Sequence, residues 1–372
     1  MAAIPSSTPV PEARPAARGW AGRLAPLVIL VVVLLVLAGV AELAPTVVQR
    51  RLTQGLINLV AVVGLYIFVG NSGVLSFGNV AFMAIGAYVS ALLTMPAAAK
   101  GVFLPDLPAF LGQAEWPATA GALAGGAAAA LVGAVAGFPL MRLSGISASI
   151  ATFAILVVAY VVLGNWTSMT GGQNSLMGLP IYVGLWTAAA WAIVAVVIAF
   201  LHQESRSGLL LRASREDEAA AAACGVHMVR HRLIAFIISA FISGISGVLL
   251  GHFLGTVRVE TFYLDLTFLI LAMLVIGGMR SLTGAVTGAI VITLLTELLR
   301  QAEVGVTVGT TKLAAPGGLG DAVLALLMLL IILFRPKGIA GGREIGWPSP
   351  RRPVSPQKLS PQTATRIEET QP

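Results

Sequence analysis

Long stretches of this chain carry no charge at all, and that limits what it can fold into. No Asp, Glu, Lys or Arg occurs anywhere from Leu52 to Ala99. A second and longer bare run extends from Leu143 to Gln203. Shorter ones cover Trp116–Met141 and Leu233–Val257. A spanning helix needs about 20 mostly apolar residues. Each of the two longest runs is more than twice that length, so each holds two spans. Buried helices of a soluble protein do not come in charge-free blocks of this length. Composition agrees: 57% of the 372 residues are apolar and 10% charged, against about 45–50% and about 25% in soluble domains. So few charges cannot cover a water-facing surface.

The expected fold class is therefore all-α: a polytopic transmembrane helix bundle. Hydropathy places spans at 25–42, 53–70, 78–95, 118–140, 146–164, 183–202, 233–254, 264–279, 283–299 and 319–334. That gives about ten, with eight or nine also open, because the last three have short charge-free cores. Residues 1–23, rich in Pro, Ala and Arg, read as a disordered cytoplasmic segment. Residues 24–341 form the transmembrane domain, and 342–372 a disordered cytoplasmic tail. A cleaved signal peptide is the rival reading of the first apolar run. That run is long enough to span, and many spans follow.

Charge asymmetry orients the bundle. With a cytoplasmic N-terminus and ten spans, 17 of the 23 Lys and Arg residues fall inside. Without the two tails the count is 7 against 6, and five of the seven are arginines of the 203–232 loop. The bias favours cytoplasmic termini and a cytoplasmic loop. The net charge of +7 is explained by this topology, with no need for nucleic acid. The single Cys224 excludes an internal disulfide framework.

Several chemistries are excluded by what is missing. There is no G-x-x-x-x-G-K-[ST] phosphate loop, no HExxH, no CxxC and no G-x-S-x-G. No catalytic residue, metal site or bound cofactor is expected in this chain. Glu42, Asp265, Glu297 and Asp321 all lie near span ends. An ion-driven transporter usually carries a charged relay near the midplane, so the energy should come from outside the chain. A membrane-embedded enzyme would need a polar constellation within the spans, and none is visible. A stand-alone channel or transporter for a small neutral solute remains as the rival.

Three polar clusters stand out. The loop 203–232 contains Ser214-Arg215-Glu216-Asp217-Glu218, five alanines, Cys224 and Gly225. Ser214 and Asp217 fit a capping box, the acids suit a helix N-terminus, and Gly225 is placed to end the helix. A short cytoplasmic helix over 215–224 is expected, either a solvated connector or a docking helix. The docking reading uses Arg215, Glu216, Asp217, Glu218, Ala219, Ala220 and Gly225. The second cluster ends the second span: Asn71, Ser72, Gly73, Ser76 and Asn79, uncharged hydrogen-bonding groups among glycines. A broken helix there would expose backbone dipoles to a zwitterionic solute; a plain inter-span turn is the simpler alternative. The third, with Gly171, Gly172, Gln173 and Asn174, lies outside, as a flexible loop or a docking surface. Gly121, Gly125, Gly133, Gly284 and Gly288 mark close helix packing.

These clusters carry a resemblance. The stretches VGNSGVLSFGNVAFMAIGAYVSALL (69–93), TGGQNSLMGLP (170–180), LRASREDEAAAAACGV (211–226), LIAFIISAFISGISGVLLGHFLG (233–255), LAMLVIGGMRSLTGAVTGAI (271–290) and LFRPKGIAG (333–341) occur in this order. Together the sequence resembles the LivM-type permease subunit of branched-chain amino acid ABC importers. The resemblance implies a heterodimer with a LivH-type permease, two cytoplasmic ATP-binding subunits that bind ATP and Mg, and a periplasmic solute-binding protein. It also implies a bacterial inner (plasma) membrane location. The segment 211–226 would couple to an ATPase, with Glu216–Gly225 similar to the EAA loop although its glycine falls one residue late. Ser175, Arg280 and Ala285 depart from the family's usual Gly, Gly and Pro.

Overall fold

The computed structural model describes residues 20–304, 306–308, 311–313, 319–335, 338–342 and 344. The expected disorder over 1–23 and 342–372 falls mostly outside these residues. The chain divides into two units, and everything below concerns the unit Pro26–Ile345.

Its elements run in order as α1 (Trp20–Glu42, of which Pro26 onward belongs to this unit), α2 (Thr46–Ser72), α3 (Asn79–Thr94), α4 (Ala97–Phe103) and α5 (Ala109–Gly112). Then come α6 (Ala118–Leu140), α7 (Gly145–Asn165), α8 (Thr167–Thr170), β1 (Leu176–Met177) and α9 (Leu185–Glu204). The connector follows as α10 (Arg206–Glu216) and α11 (Glu218–Ala223), then α12 (Met228–Leu254), β2 (Thr256–Val257) and α13 (Leu264–Gly277). Last are α14 (Leu282–Val304), β3 (Val306–Val308), β4 (Thr311–Leu313) and α15 (Leu319–Phe334). Strands occur only as two short antiparallel pairs among the described residues, β1 with β2 and β3 with β4.

Among the described residues, eight helices are long and apolar enough to span a membrane, nine if a bent pair counts as one. Two of the ten expected spans differ. The span expected at 78–95 is α3, which stops at Thr94 and turns by 120° into α4. Pro96 causes the turn: it disfavours helical backbone at the preceding residue, and Met95 is extended at ψ 137°. The span expected at 319–334 is α15, with 16 residues. That is about 24 Å of helix, short of the ~30 Å hydrocarbon core.

α2 is the centre of the bundle. Of its most apolar stretch 94% is buried, against 17% for α7 and 22% for α1. It packs against α9, α12, α13 and α14. A second layer, α3 with α6, packs on α12. Small residues set how close these helices come. A side chain at Gly86 would collide with the Gly244 carbonyl, and one at Gly125 would stand 2.6 Å from the Gly86 carbonyl oxygen. At Gly133 it would stand 2.7 Å from Ala240 Cβ, and at Gly288 it would meet the Met273 carbonyl. The glycines singled out in the sequence are thus packing positions.

Replacing Gly86 by Val should lower the thermal stability of the detergent-solubilised chain strongly. Overpacking costs about 1–3 kcal/mol where neighbours can move, and here the obstacle is backbone. Gly39→Val, where an added Cβ meets no atom of another element within 4 Å among the described residues, should change little. Size-exclusion thermal melts of the two variants provide the comparison.

Candidate functional site

The connector between α9 and α12 is folded rather than loose, and its architecture corrects the expected helix over 215–224. Two helices occupy the segment, broken at Asp217. Ser205 caps α10, its Oγ accepting from the Gly208 amide at 3.1 Å. Ser214 is not a cap: it lies inside α10 and its hydroxyl donates to the Leu211 carbonyl at 2.7 Å. Asp217 takes the capping role for α11, with Oδ1 accepting from the Ala220 amide at 2.9 Å. The reason is local. Gly208, Leu211 and Ser214 form the buried face of α10, which runs through Glu216, and Asp217 adopts the extended backbone (φ −150°, ψ 108°) that a cap requires.

Arg215 and Glu216 therefore end α10, and Glu218, Ala219 and Ala220 begin α11. Ala219, Ala220, Ala222, Ala223, Cys224 and Gly225 are all exposed. Gly225 sits at φ +81°, the left-handed backbone that turns the chain towards α12. Glu218 Oε2 lies 3.1 Å from Arg232 Nη2 at the start of α12.

Arg215 joins the first two sequence clusters. Its Nη1 donates to the Gly70 carbonyl at 2.5 Å, across 145 residues of sequence. Gly70 is in the last turn of α2, where a carbonyl has no partner within the helix. The arginine stem lies against Gly73, whose φ of +74° ends α2; a Cβ there would be 2.6 Å from Arg215 Cγ. Glu216 Oε1 accepts from Arg215 Nη2 at 3.1 Å and lies 3.7 Å from Arg280 Nη2, in the break between α13 and α14. Sequence reasoning missed this junction, with Arg280 in it. The one available signal was an arginine where a glycine is usual.

The remaining residues of the second cluster are buried. Asn71 Nδ2 donates to the Ile67 carbonyl at 2.9 Å, while its Oδ1 has no partner among the described residues. Ser72 Oγ accepts from the Val74 amide at 3.2 Å. Ser76 is 3% exposed. Asn79 Nδ2 donates to the Ala61 carbonyl at 3.3 Å, and its Oδ1 accepts from Ser243 Oγ at 2.5 Å, tying α2, α3 and α12 together.

The third cluster lies at the other end of α9, about 30 Å from the connector by helix rise. Gly171 and Gly172 have φ of +71° and +66°, and Gln173 and Asn174 are exposed. The chain that follows is stitched down: Leu176 pairs with Val257 and Met177 with Thr256. His252 Nδ1 donates to the Pro180 carbonyl at 3.0 Å, and its Nε2 faces Ser90 Oγ at 3.0 Å.

A bundle with this centre, a folded connector at one end and a pinned loop at the other is a polytopic membrane transport protein in form. The chain belongs to the family described as "Branched-chain amino acid transport system / permease component", whose model matches residues 47–332. It is 28% identical to the high-affinity branched-chain amino acid transport permease LivM of Salmonella typhimurium, over 77% of this chain and 68% of that one. The LivM of Escherichia coli matches with the same identity and coverage. A probable LivH permease of Methanocaldococcus jannaschii is 25% identical, over 55% of this chain and 66% of that one. No solved structure matches the chain.

Arg215→Met keeps the packed stem and removes the bond to Gly70. A hydrogen bond from a charged group contributes about 1.5–3 kcal/mol. Amide exchange across residues 69–76 and 206–216 should therefore quicken by about tenfold or more, with the amides of α7 unchanged. Unaltered exchange in both segments would show that Arg215 holds nothing.

Proposed function

We propose that this chain is the LivM-type half of an ABC importer and translocates branched-chain amino acids by alternating access. The family match over most of the transmembrane domain carries the reading. The other half of the pore is a LivH-type permease. Two cytoplasmic subunits bind ATP and Mg, and a periplasmic binding protein delivers the solute. The chain itself makes and breaks no covalent bond. Its location is a bacterial inner (plasma) membrane, with both termini in the cytoplasm.

In this reading the exposed face of α11 is the ATPase contact. Ala219 and Ala220 are small enough to enter a groove, and Glu216, Asp217 and Glu218 meet basic groups around it. Arg215 passes the displacement to the end of α2. Asn71, Ser72, Gly73, Ser76 and Asn79 lie where that displacement reaches the path. Gly171, Gly172, Gln173 and Asn174 belong to the surface that receives the binding protein. The reading is supported by the exposure of the alanines and by the bond from Arg215 to Gly70.

Two experiments test it. Cys224 is exposed and is the sole cysteine of the chain. A membrane-impermeant maleimide should label it in inverted vesicles and leave it untouched in intact spheroplasts; the reverse pattern would overturn the orientation. In the assembled complex, Glu218→Lys combined with deletion of Ala219–Ala223 should abolish substrate-stimulated ATP hydrolysis. Undiminished stimulation would sink the coupling role.

A further inference from the structure

At the end of the bundle far from the connector, a cavity of about 180 Å³ opens between α2, α13 and α14. One water requires about 10–15 Å³, and drug-sized ligands occupy about 300–1,000 Å³. This cavity suits one small molecule.

Its lining has three chemistries. Arg51 and Arg300 supply positive charge, Glu297 supplies negative charge, and Leu269 and Met273 supply an apolar wall. Arg51 Nη1 donates to Glu297 Oε2 at 2.8 Å, and Gln301 Nε2 donates to Oε1 at 2.9 Å. Each carboxylate oxygen accepts two hydrogen bonds, so Glu297 retains capacity. Arg300 has no ion pair or hydrogen bond among the described residues. Asn58 also lines the cavity. It is buried, with 6% of its surface exposed, and its Oδ1 has no partner among the described residues. A buried polar atom left unpaired costs about 1–3 kcal/mol, and a ligand that donates to it recovers that cost.

A simple anion would meet Glu297 and the Asn58 oxygen. A simple cation would meet two arginines. A molecule with both an ammonium and a carboxylate satisfies every group, and an aliphatic side chain completes the fit on Leu269 and Met273. We propose that this cavity is a binding site for a free aliphatic α-amino acid, holding the ammonium at Asn58 and Glu297 and the carboxylate at Arg300. The site deepens the permease reading and rests on it. It places a substrate stop at the end where the solute enters under the proposed orientation. A phosphatidylethanolamine headgroup carries the same pair of charges, so the test separates the two.

The full chain, with any subunits that stay bound, is reconstituted in nanodiscs of phosphatidylcholine and phosphatidylglycerol and probed with radiolabelled leucine. Saturable binding is expected, displaced by isoleucine. Isoamylamine, lacking the carboxylate, and 4-methylpentanoic acid, lacking the ammonium, should not displace it. Arg300→Gln, at an exposed position that leaves the fold intact, and Asn58→Leu should each weaken binding by about tenfold or more, which is about 1.4 kcal/mol. Three results overturn the site: no saturable binding, equal binding by wild type and Arg300→Gln, or displacement of leucine by phosphatidylethanolamine in the discs. Leucine uptake by cells with and without the chain tests the permease reading separately. Uptake that needs the chain, with no binding in discs, removes the site alone. Uptake indifferent to the chain removes both.

Discussion

Inside hydrocarbon no water completes a broken helix, so every helix end must find its partners in the protein. Three helix ends at the connector side of this bundle show such partners. The last turn of α2 gives its Gly70 carbonyl to Arg215. α13 ends at Gly277, and the carbonyls of Ile276 and Gly277 accept from the Ile339 and Ala340 amides at 2.9 and 3.0 Å. The carboxylate of Glu344 accepts from the Leu282 and Thr283 amides at 2.8 and 3.2 Å, closing the start of α14. The chain after α15 is therefore held in the structure because α13 and α14 are interrupted beside it. Close glycine contacts serve the same end, since backbones that touch leave no room for lipid between α3, α6 and α12.

Charge-free runs revealed the spans because lipid penalises charge wherever it lies along a helix, and that signal survives averaging over about 20 residues. The turn after Thr94 did not survive averaging. Pro96 was in plain view, but the residues around it are apolar and hydropathy reads straight through. The capping box failed for a related reason. Ser214 and Asp217 satisfy the motif as text, whereas in the folded chain Ser214 shares a buried face of α10 with Gly208 and Leu211. The glycine stripes were legible because small-residue spacing is itself the packing device.

Contacts between distant segments were not legible. Arg51 and Glu297 are 246 residues apart, and each sits near a span end, where a lone charge is unremarkable. Their meeting follows from α2 and α14 being neighbours, which no local pattern states. Asn58 lies within an otherwise apolar run and attracts no notice until its oxygen is found buried without a partner. Polar groups of this kind become informative only when the neighbours that fail to satisfy them are known.

The connector reaches the bundle by two links of unequal strength. Glu216 and Arg280 are 3.7 Å apart and both more than half exposed. A pair of that kind contributes about 0–1 kcal/mol, less in salt. Arg215 is different: its side chain is 15% exposed and bonded at 2.5 Å to a helix-end carbonyl. The carbonyl belongs to α2, the helix that touches α9, α12, α13 and α14. A shift of α10 transmitted through Arg215 therefore acts on the most deeply buried of the eight long spans. The same shift through Arg280 would pass only through a 3.7 Å contact between two side chains more than half exposed. Under the proposed function, α2 is the lever and Arg215 its attachment. The packed glycines of α3, α6 and α12 form the rigid block against which it moves.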